Sequence, residues 1–94
     1  MPGMTNNVRR VLRDAGFVEA RGDSQWGFQA TPGTTPGVAH LRYVRDPDAR
    51  KREGSVRFGN EQVSKYVRTL QSQGFRTSRI NGVNEVDTLL VMRS

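Results

Sequence analysis

The side chains in this sequence that could do chemistry are mostly cations. Arg9, Arg10 and Arg13 cluster near the start, Arg45 leads into the run Arg50-Lys51-Arg52, and Lys65 and Arg68 stand about one helical turn apart further on. Cations spaced along one surface suit a phosphate backbone, because each neutralised phosphate releases counterions. The chain carries 15 Lys+Arg against 9 Asp+Glu, a net charge of +6, and a basic surface draws polyanions towards it. Thirteen of the cations are Arg and two are Lys. The planar guanidinium grips phosphate and carboxylate bidentately; a GC-rich coding sequence gives the same excess with no selection for binding. Asp46, Asp48 and Glu53 dilute the central run. A solvated charged loop and two solvated helix faces are therefore the plainer reading of the same residues.

Other chemistries find less support. His40 is the single histidine. A catalytic imidazole needs a nucleophile or an acid within hydrogen-bond reach, and no sequence neighbour supplies one. The closest carboxylate pairs, Asp46/Asp48 and Glu85/Asp87, flank turns beside Arg-rich segments. There they serve as turn formers and charge balance rather than converging on a cation. There is no Cys, which excludes disulfides, thiolate metal sites and Cys nucleophiles. The glycines form neither a dinucleotide fingerprint nor a P-loop. These features point to a non-enzymatic protein with no metal and no cofactor.

The elements that must carry the cations are legible from periodicity. Thr5, Asn6 and Asn7 are good N-caps. Val8, Val11, Leu12 and Ala15 then fall on one helical stripe over 5–15, closed by Gly16-Phe17. On that helix Arg9, Arg10 and Arg13 lie opposite the stripe, with Asp14 spaced to pair with Arg10. Short alternating runs predict strands at Phe17–Arg21, Gln25–Thr31 and Val38–Arg45, separated by Gly22-Asp23 and by two Thr-Pro-Gly turns. Residues 46–54 read as a charged surface loop, and Ser55–Phe58 as a short strand or a lead-in turn. Asn60 caps a second helix over 61–73 with the stripe Val63, Tyr66, Val67 and Leu70. Lys65 and Arg68 sit on its outer face beside Glu61. Gly74-Phe75 closes it, a strand runs to Ile80, Asn81-Gly82 signals a hairpin, and Thr88–Met92 is the last strand.

The chain is thus expected to form one domain over 1–94, with 1–4 a ragged start. Its expected fold is an α+β two-layer sandwich of order α-β-β-β-α-β-β, an antiparallel sheet carrying two amphipathic helices on one face. Both helices end in Gly-Phe and lead to an Arg, at Arg21 and Arg79. That recurrence fits a degenerate α-β-β repeat over 5–45 and 60–92; helix–Gly–apolar–strand is also a common physical solution in its own right. Apolar residues are 34% of the chain. A core this lean suggests a marginal monomer or help from a dimer interface.

Gly37-Val38-Ala39-His40 before a strand and Ser64-Lys65 in the second helix are faintly similar to a double-stranded-RNA-binding domain. Asn60-Glu61-Gln62 stands where that family places its Lys cluster, which removes its phosphate clamp. A closer resemblance rests on His40-Leu41-Arg42-Tyr43-Val44, Tyr66-Val67-Arg68-Thr69-Leu70, Gly74-Phe75 and Leu89-Leu90-Val91-Met92. Over about residues 38–92 the chain resembles small α+β proteins of high-GC actinobacteria and their phages and plasmids, a group with no assigned activity. The resemblance implies the fold and a mobile-element setting. The interrupted 50–60 segment departs from that group's more continuous helix.

The sequence therefore predicts a small basic protein contacting nucleic-acid backbone, DNA or RNA, through Arg9, Arg10, Arg13, Arg45, Arg50, Lys51, Arg52, Lys65 and Arg68. The alternative is a protein partner or a homodimer engaged through a sheet face or an edge strand, Phe17–Arg21 or Thr88–Met92. No apolar run approaches the roughly 18 residues of a membrane span, so a cytoplasmic protein without membrane contact is expected.

Overall fold

The computed structural model describes residues 3–21, 26–45 and 55–93. The Gly22-Asp23 turn, the 46–54 loop and with it Arg50, Lys51 and Arg52 lie outside the described residues. The elements are α1 (Met4–Asp14), β1 (Gly27–Pro32), β2 (Val38–Val44), α2 (Val56–Ser72), β3 (Phe75–Ile80) and β4 (Thr88–Arg93). They form an α+β globule with one antiparallel sheet of order β1-β2-β4-β3. Helix followed by hairpin occurs twice in the chain, and the two hairpins join through β2 and β4, where His40 lies opposite Leu90.

Binary patterning sets the layers. In β2, Ala39, Leu41 and Tyr43 are buried, while Val38, His40, Arg42 and Val44 face the other way. Phe28 of β1 and Leu89 and Val91 of β4 join the buried face. Val8 and Leu12 of α1 and Val63, Tyr66 and Leu70 of α2 cover it. Tyr66 is the hub, its ring edge-on to Phe17 at 5.0 Å and to Phe28 at 6.2 Å. The Gly-Phe closure of α1 is a Schellman turn as expected: Phe17 N–H donates to Leu12 O and Gly16 N–H to Arg13 O, with Gly16 at φ 92°.

The structure corrects the sequence reading in four places. Phe17–Arg21 is not a strand of the sheet. It touches β1 only at a parallel bridge, where Phe28 N–H donates to Val18 O and Ala20 N–H to Phe28 O. Gly27 permits this approach: it has φ 125°, and a Cβ there would collide with the Val18 carbonyl. Second, Ser55–Phe58 is neither strand nor lead-in but the first turn of α2, which starts five residues before the expected boundary. Ser55, not Asn60, is its N-cap, and its Oγ accepts from Phe58 N–H at 3.0 Å. The stripe continues back through Gly59, whose missing side chain hides it from a hydrophobicity count. Third, α1 starts at Met4 with Gly3 as N-cap and no side-chain cap bond, so Thr5, Asn6 and Asn7 are inside the helix. Fourth, Thr31 and Pro32 are the end of β1 rather than a turn. Only Thr35-Pro36-Gly37-Val38 makes the expected turn, with Val38 N–H donating to Thr35 O and Gly37 at φ 82°.

Candidate nucleic-acid interface

Folding separates the predicted cations into different roles. Arg9 is withdrawn from the surface set. Its Nε donates to Glu19 Oε2 at 2.7 Å and its Nη2 to Oε1, with both side chains mostly withdrawn from solvent. The pair ties the stretch after α1 back onto the helix, a role for Glu19 that no strand assignment predicted. Arg10 and Arg13 remain exposed on α1, and Lys65 and Arg68 on α2. The expected Arg10–Asp14 pair is not formed; among the described residues the ion pairs are Arg9–Glu19, Arg57–Glu61 and Arg79–Asp87. Asp14 sits at the C-terminal end of α1, where the helix dipole disfavours a carboxylate, and Arg before Asp is the weaker order.

The two helices lie on the same side of the sheet and meet at a groove lined by Val11, Asp14 and Ala15 of α1 and Thr69 and Gln73 of α2. Arg10, Arg13, Lys65 and Arg68 therefore belong to one helical layer, with Arg57 and Glu61 further along α2. Arg45 lies apart from them, exposed at the end of β2 in a groove shared with Arg42 and Glu85.

Two internal ion pairs enter the surface balance. The described residues contain five carboxylates, and Glu19 and Asp87 are committed to Arg9 and Arg79. With those two pairs set aside, what stays exposed is Arg10, Arg13, Arg21, Arg42, Arg45, Arg57, Lys65, Arg68, Arg76 and Arg93 against Asp14, Glu61 and Glu85. Ten cations then face three carboxylates among the described residues; the two pairs are each neutral, so the excess of seven cations is the same as for the twelve cations and five carboxylates described.

The second face of the sheet is uncovered among the described residues. Rows run Arg76–Met92–Val38 and Ser78–Leu90–His40–Thr31 across the strands. Half-buried Val38, Leu90 and Met92 stand with exposed Arg42 and Arg76 and with Ile80, which is 48% exposed. His40 lies here and makes no hydrogen bond or ion pair with the described residues. Among the described residues the His40 imidazole is the ring on this face; no Phe, Tyr or Trp lies there.

Sequence reasoning missed one network. Arg79, singled out in the sequence only as the Arg that follows the Gly74-Phe75 closure, faces the helices. Its Nε donates to Asp87 Oδ2 at 2.7 Å, Nη1 to Ser64 Oγ at 2.8 Å and Nη2 to Asn60 O at 3.1 Å. Asp87 Oδ1 accepts from Gly82 N–H, and Asp87 N–H donates to Asn60 Oδ1. The only advance signal was a charged residue at an inward position of an alternating strand. A second missed feature is a cleft of about 160 Å³ where the end of α1, the start of β1 and α2 meet, lined by Phe17, Trp26, Tyr43, Phe58, Gln62 and Tyr66 among others. Burial pushes the Tyr66 hydroxyl above the usual phenol range, and the neighbouring Tyr43 adds to the shift.

Compared with protein-family models, curated proteins and solved structures, the chain matches none of them.

Proposed function

We propose that this small α+β protein is a non-enzymatic binding protein that holds nucleic acid by its phosphate backbone, through the cations exposed on its helical layer. The observation that carries this reading is the surface balance: two of five described carboxylates are spent internally, and ten exposed cations remain against three. Arg10, Arg13, Lys65 and Arg68 are the contacts of choice; Arg45, which lies apart from them, and Arg50, Lys51 and Arg52, outside the described residues, are kept as further contacts on sequence grounds alone. Arg9 acts as a brace for Glu19 and is left out of the contact set. Contacts of this kind position a protein on its ligand without reading sequence. We place the activity in the cytoplasm, in the phage or plasmid setting that the sequence resemblance implies. Among the described residues no helix is long and apolar enough to cross a membrane.

The test is fluorescence anisotropy of nuclease-treated protein with labelled duplex DNA, duplex RNA and single strands from about 50 to 200 mM salt. Micromolar or tighter binding that falls log-linearly with salt is expected. Absence of binding at the lowest salt would rule the reading out. A second reading, a protein partner or second copy on the second sheet face, is favoured by one observation: Val38, Leu90 and Met92 form an apolar strip on a surface that none of the described residues covers. Salt-tolerant association would mark it.

A further inference from the structure

We infer that the outer edge of β3, with the groove that α2 makes beside it, is a docking site for an extended acidic segment of a partner protein, which adds to the sheet as a further strand. The inference goes beyond the nucleic-acid reading and does not depend on it. The ladder hydrogen bonds show which backbone groups are free. Gly33 N–H donates to Val38 O, so alternate residues from Gly27 to Gly33 turn to β2; Phe28, between them, turns the other way, to Val18 and Ala20. Alternation across the registers then turns Ala39 and Leu41 towards β4, Leu90 and Met92 towards β3, and Ser78 and Arg76 back towards β4. Thr77 and Arg79 are left with N–H and C=O pointing outward, and no described strand lies beyond them. Such a row is what an added strand pairs with.

The edge is more than a row of backbone groups. A groove of about 500 Å³ lies beside it, lined by Val56, Arg57, Asn60, Glu61 and Ser64 of α2 and by Arg79. Side chains of an added strand alternate between the two faces. One set enters this groove, and the other lies beside Arg76, Ser78 and Ile80 on the second face of the sheet. Charge names the partner. The carboxylates near the edge are already held, Asp87 by Arg79 at 2.7 Å and Glu61 by Arg57 at 3.8 Å. Arg76 on one face and Arg68 of α2 on the other are exposed and make no ion pair with the described residues. Arg68 falls on the β3 side of α2, between Ser64 and Gln71, and Gln71 Nε2 reaches Thr77 Oγ1 at 3.5 Å. A segment with carboxylates on both faces finds a cation on each, and Ile80, 48% exposed, adds an apolar contact. A second copy offers the reverse, because its β3 carries Arg76 and Arg79 and no carboxylate. A phosphate backbone has acceptors but no N–H for the outward carbonyls.

The test uses the full chain and a labelled, end-blocked peptide of about eight residues, a Glu-Glu-Val-Val repeat that presents carboxylates on both faces. A Lys-Lys-Val-Val repeat is the control. Anisotropy gives the affinity, and amide hydrogen exchange followed by NMR gives the place. In the protein alone, the Arg76 and Ser78 amides should exchange slowly and those of Thr77 and Arg79 quickly. The Glu peptide is expected to bind about tenfold tighter than the Lys peptide or better, and to slow exchange at Thr77 and Arg79. Thr77→Pro removes an outward donor and no ladder bond, so it should abolish binding with the melt little changed. A Glu peptide N-methylated throughout keeps the charges and side chains, and it should fail to bind the unaltered protein. Equal affinity for the two peptides, or binding that leaves Thr77 and Arg79 exchange unchanged, would overturn the inference. So would a flat anisotropy with the Glu peptide up to about millimolar protein. Slowed exchange at the same amides with duplex DNA, or on raising protein concentration alone, would overturn it too and assign the edge to nucleic acid or to a second copy. The salt titration of nucleic-acid binding tests the other reading separately.

Discussion

The Arg79 guanidinium and the Asp87 carboxylate, on the two sides of the β3–β4 connection, meet at 2.7 Å and between them engage three separate segments of the chain. Arg79 reaches across to Ser64 and Asn60 of α2, while Asp87 closes its own loop through Gly82 N–H. Asp87 is 8% exposed. Removing it would leave a guanidinium facing α2 without its counter-charge. Asp87→Ala should destabilise the fold by about 2–3 kcal/mol, less than a fully buried pair because Arg79 is partly solvated. The midpoint of thermal unfolding should drop by about 10 °C or more. An unchanged melt would show that the network is incidental.

Gly59 brings α2 close to the segment before β4. A Cβ there would run into the methyls of Val86 and come within 3.2 Å of the Tyr43 ring. Gly→Ala inside a helix normally gains about 1 kcal/mol. Here Gly59→Ala should cost about 1–3 kcal/mol instead, because the branched Val86 has little rotamer freedom to yield. The double variant Gly59→Ala/Val86→Ala should recover part of that stability, a coupling readable in a denaturant double-mutant cycle. A single variant more stable than the parent would refute the close approach.

The raised Tyr66 hydroxyl gives a pH dependence with a definite sign. The unfolded tyrosine ionises near pH 10 while the folded one keeps its proton to higher pH. Stability from this group is therefore intact below about pH 10 and declines above it, by about 1.4 kcal/mol per pH unit until the folded group also ionises. Tyr66→Phe should flatten the decline in melting temperature between about pH 9 and 11.5, and parallel declines in both proteins would contradict the assignment.

Arg9 and Arg10 are adjacent in sequence and should behave oppositely. Replacing Arg10, Arg13, Lys65 and Arg68 together by Gln should pull the salt slope of nucleic-acid binding towards zero by about 0.9 for each duplex phosphate no longer neutralised, with stability little changed. Arg9→Gln should leave that slope alone and cost about 1–2 kcal/mol of stability by leaving Glu19 without its partner. Equal slopes for the parent and the fourfold variant would move the binding surface elsewhere.

The layered α+β fold, both helices and the strands at β2, β3 and β4 were legible because alternation and the helical stripe need only side-chain polarity. The boundaries of α2 and the Phe17–Arg21 segment were not. Val56 and Phe58 alternate over too few residues to separate a strand from a first helical turn, and the decisive group is the Ser55 hydroxyl. Phe17–Arg21 has strand composition, yet Glu19 is held by Arg9 and Val18 is met by Gly27, contacts that no local pattern encodes. For the site, counting charges found the right residue types and could not say which carboxylates would be neutralised inside. The aromatic cleft was hidden because its walls come from three distant stretches and each ring reads locally as core.

The two edges of the sheet are unlike. The outer side of β1 is met by residues 18–20 at its start and ends in Pro32, which has no N–H to offer, whereas β3 has no strand beyond it among the described residues. Among the described residues β3 is the more open edge, and a second copy joined β3 to β3 would occupy that edge in both copies. Strand addition through that edge would give a closed pair rather than a fibre.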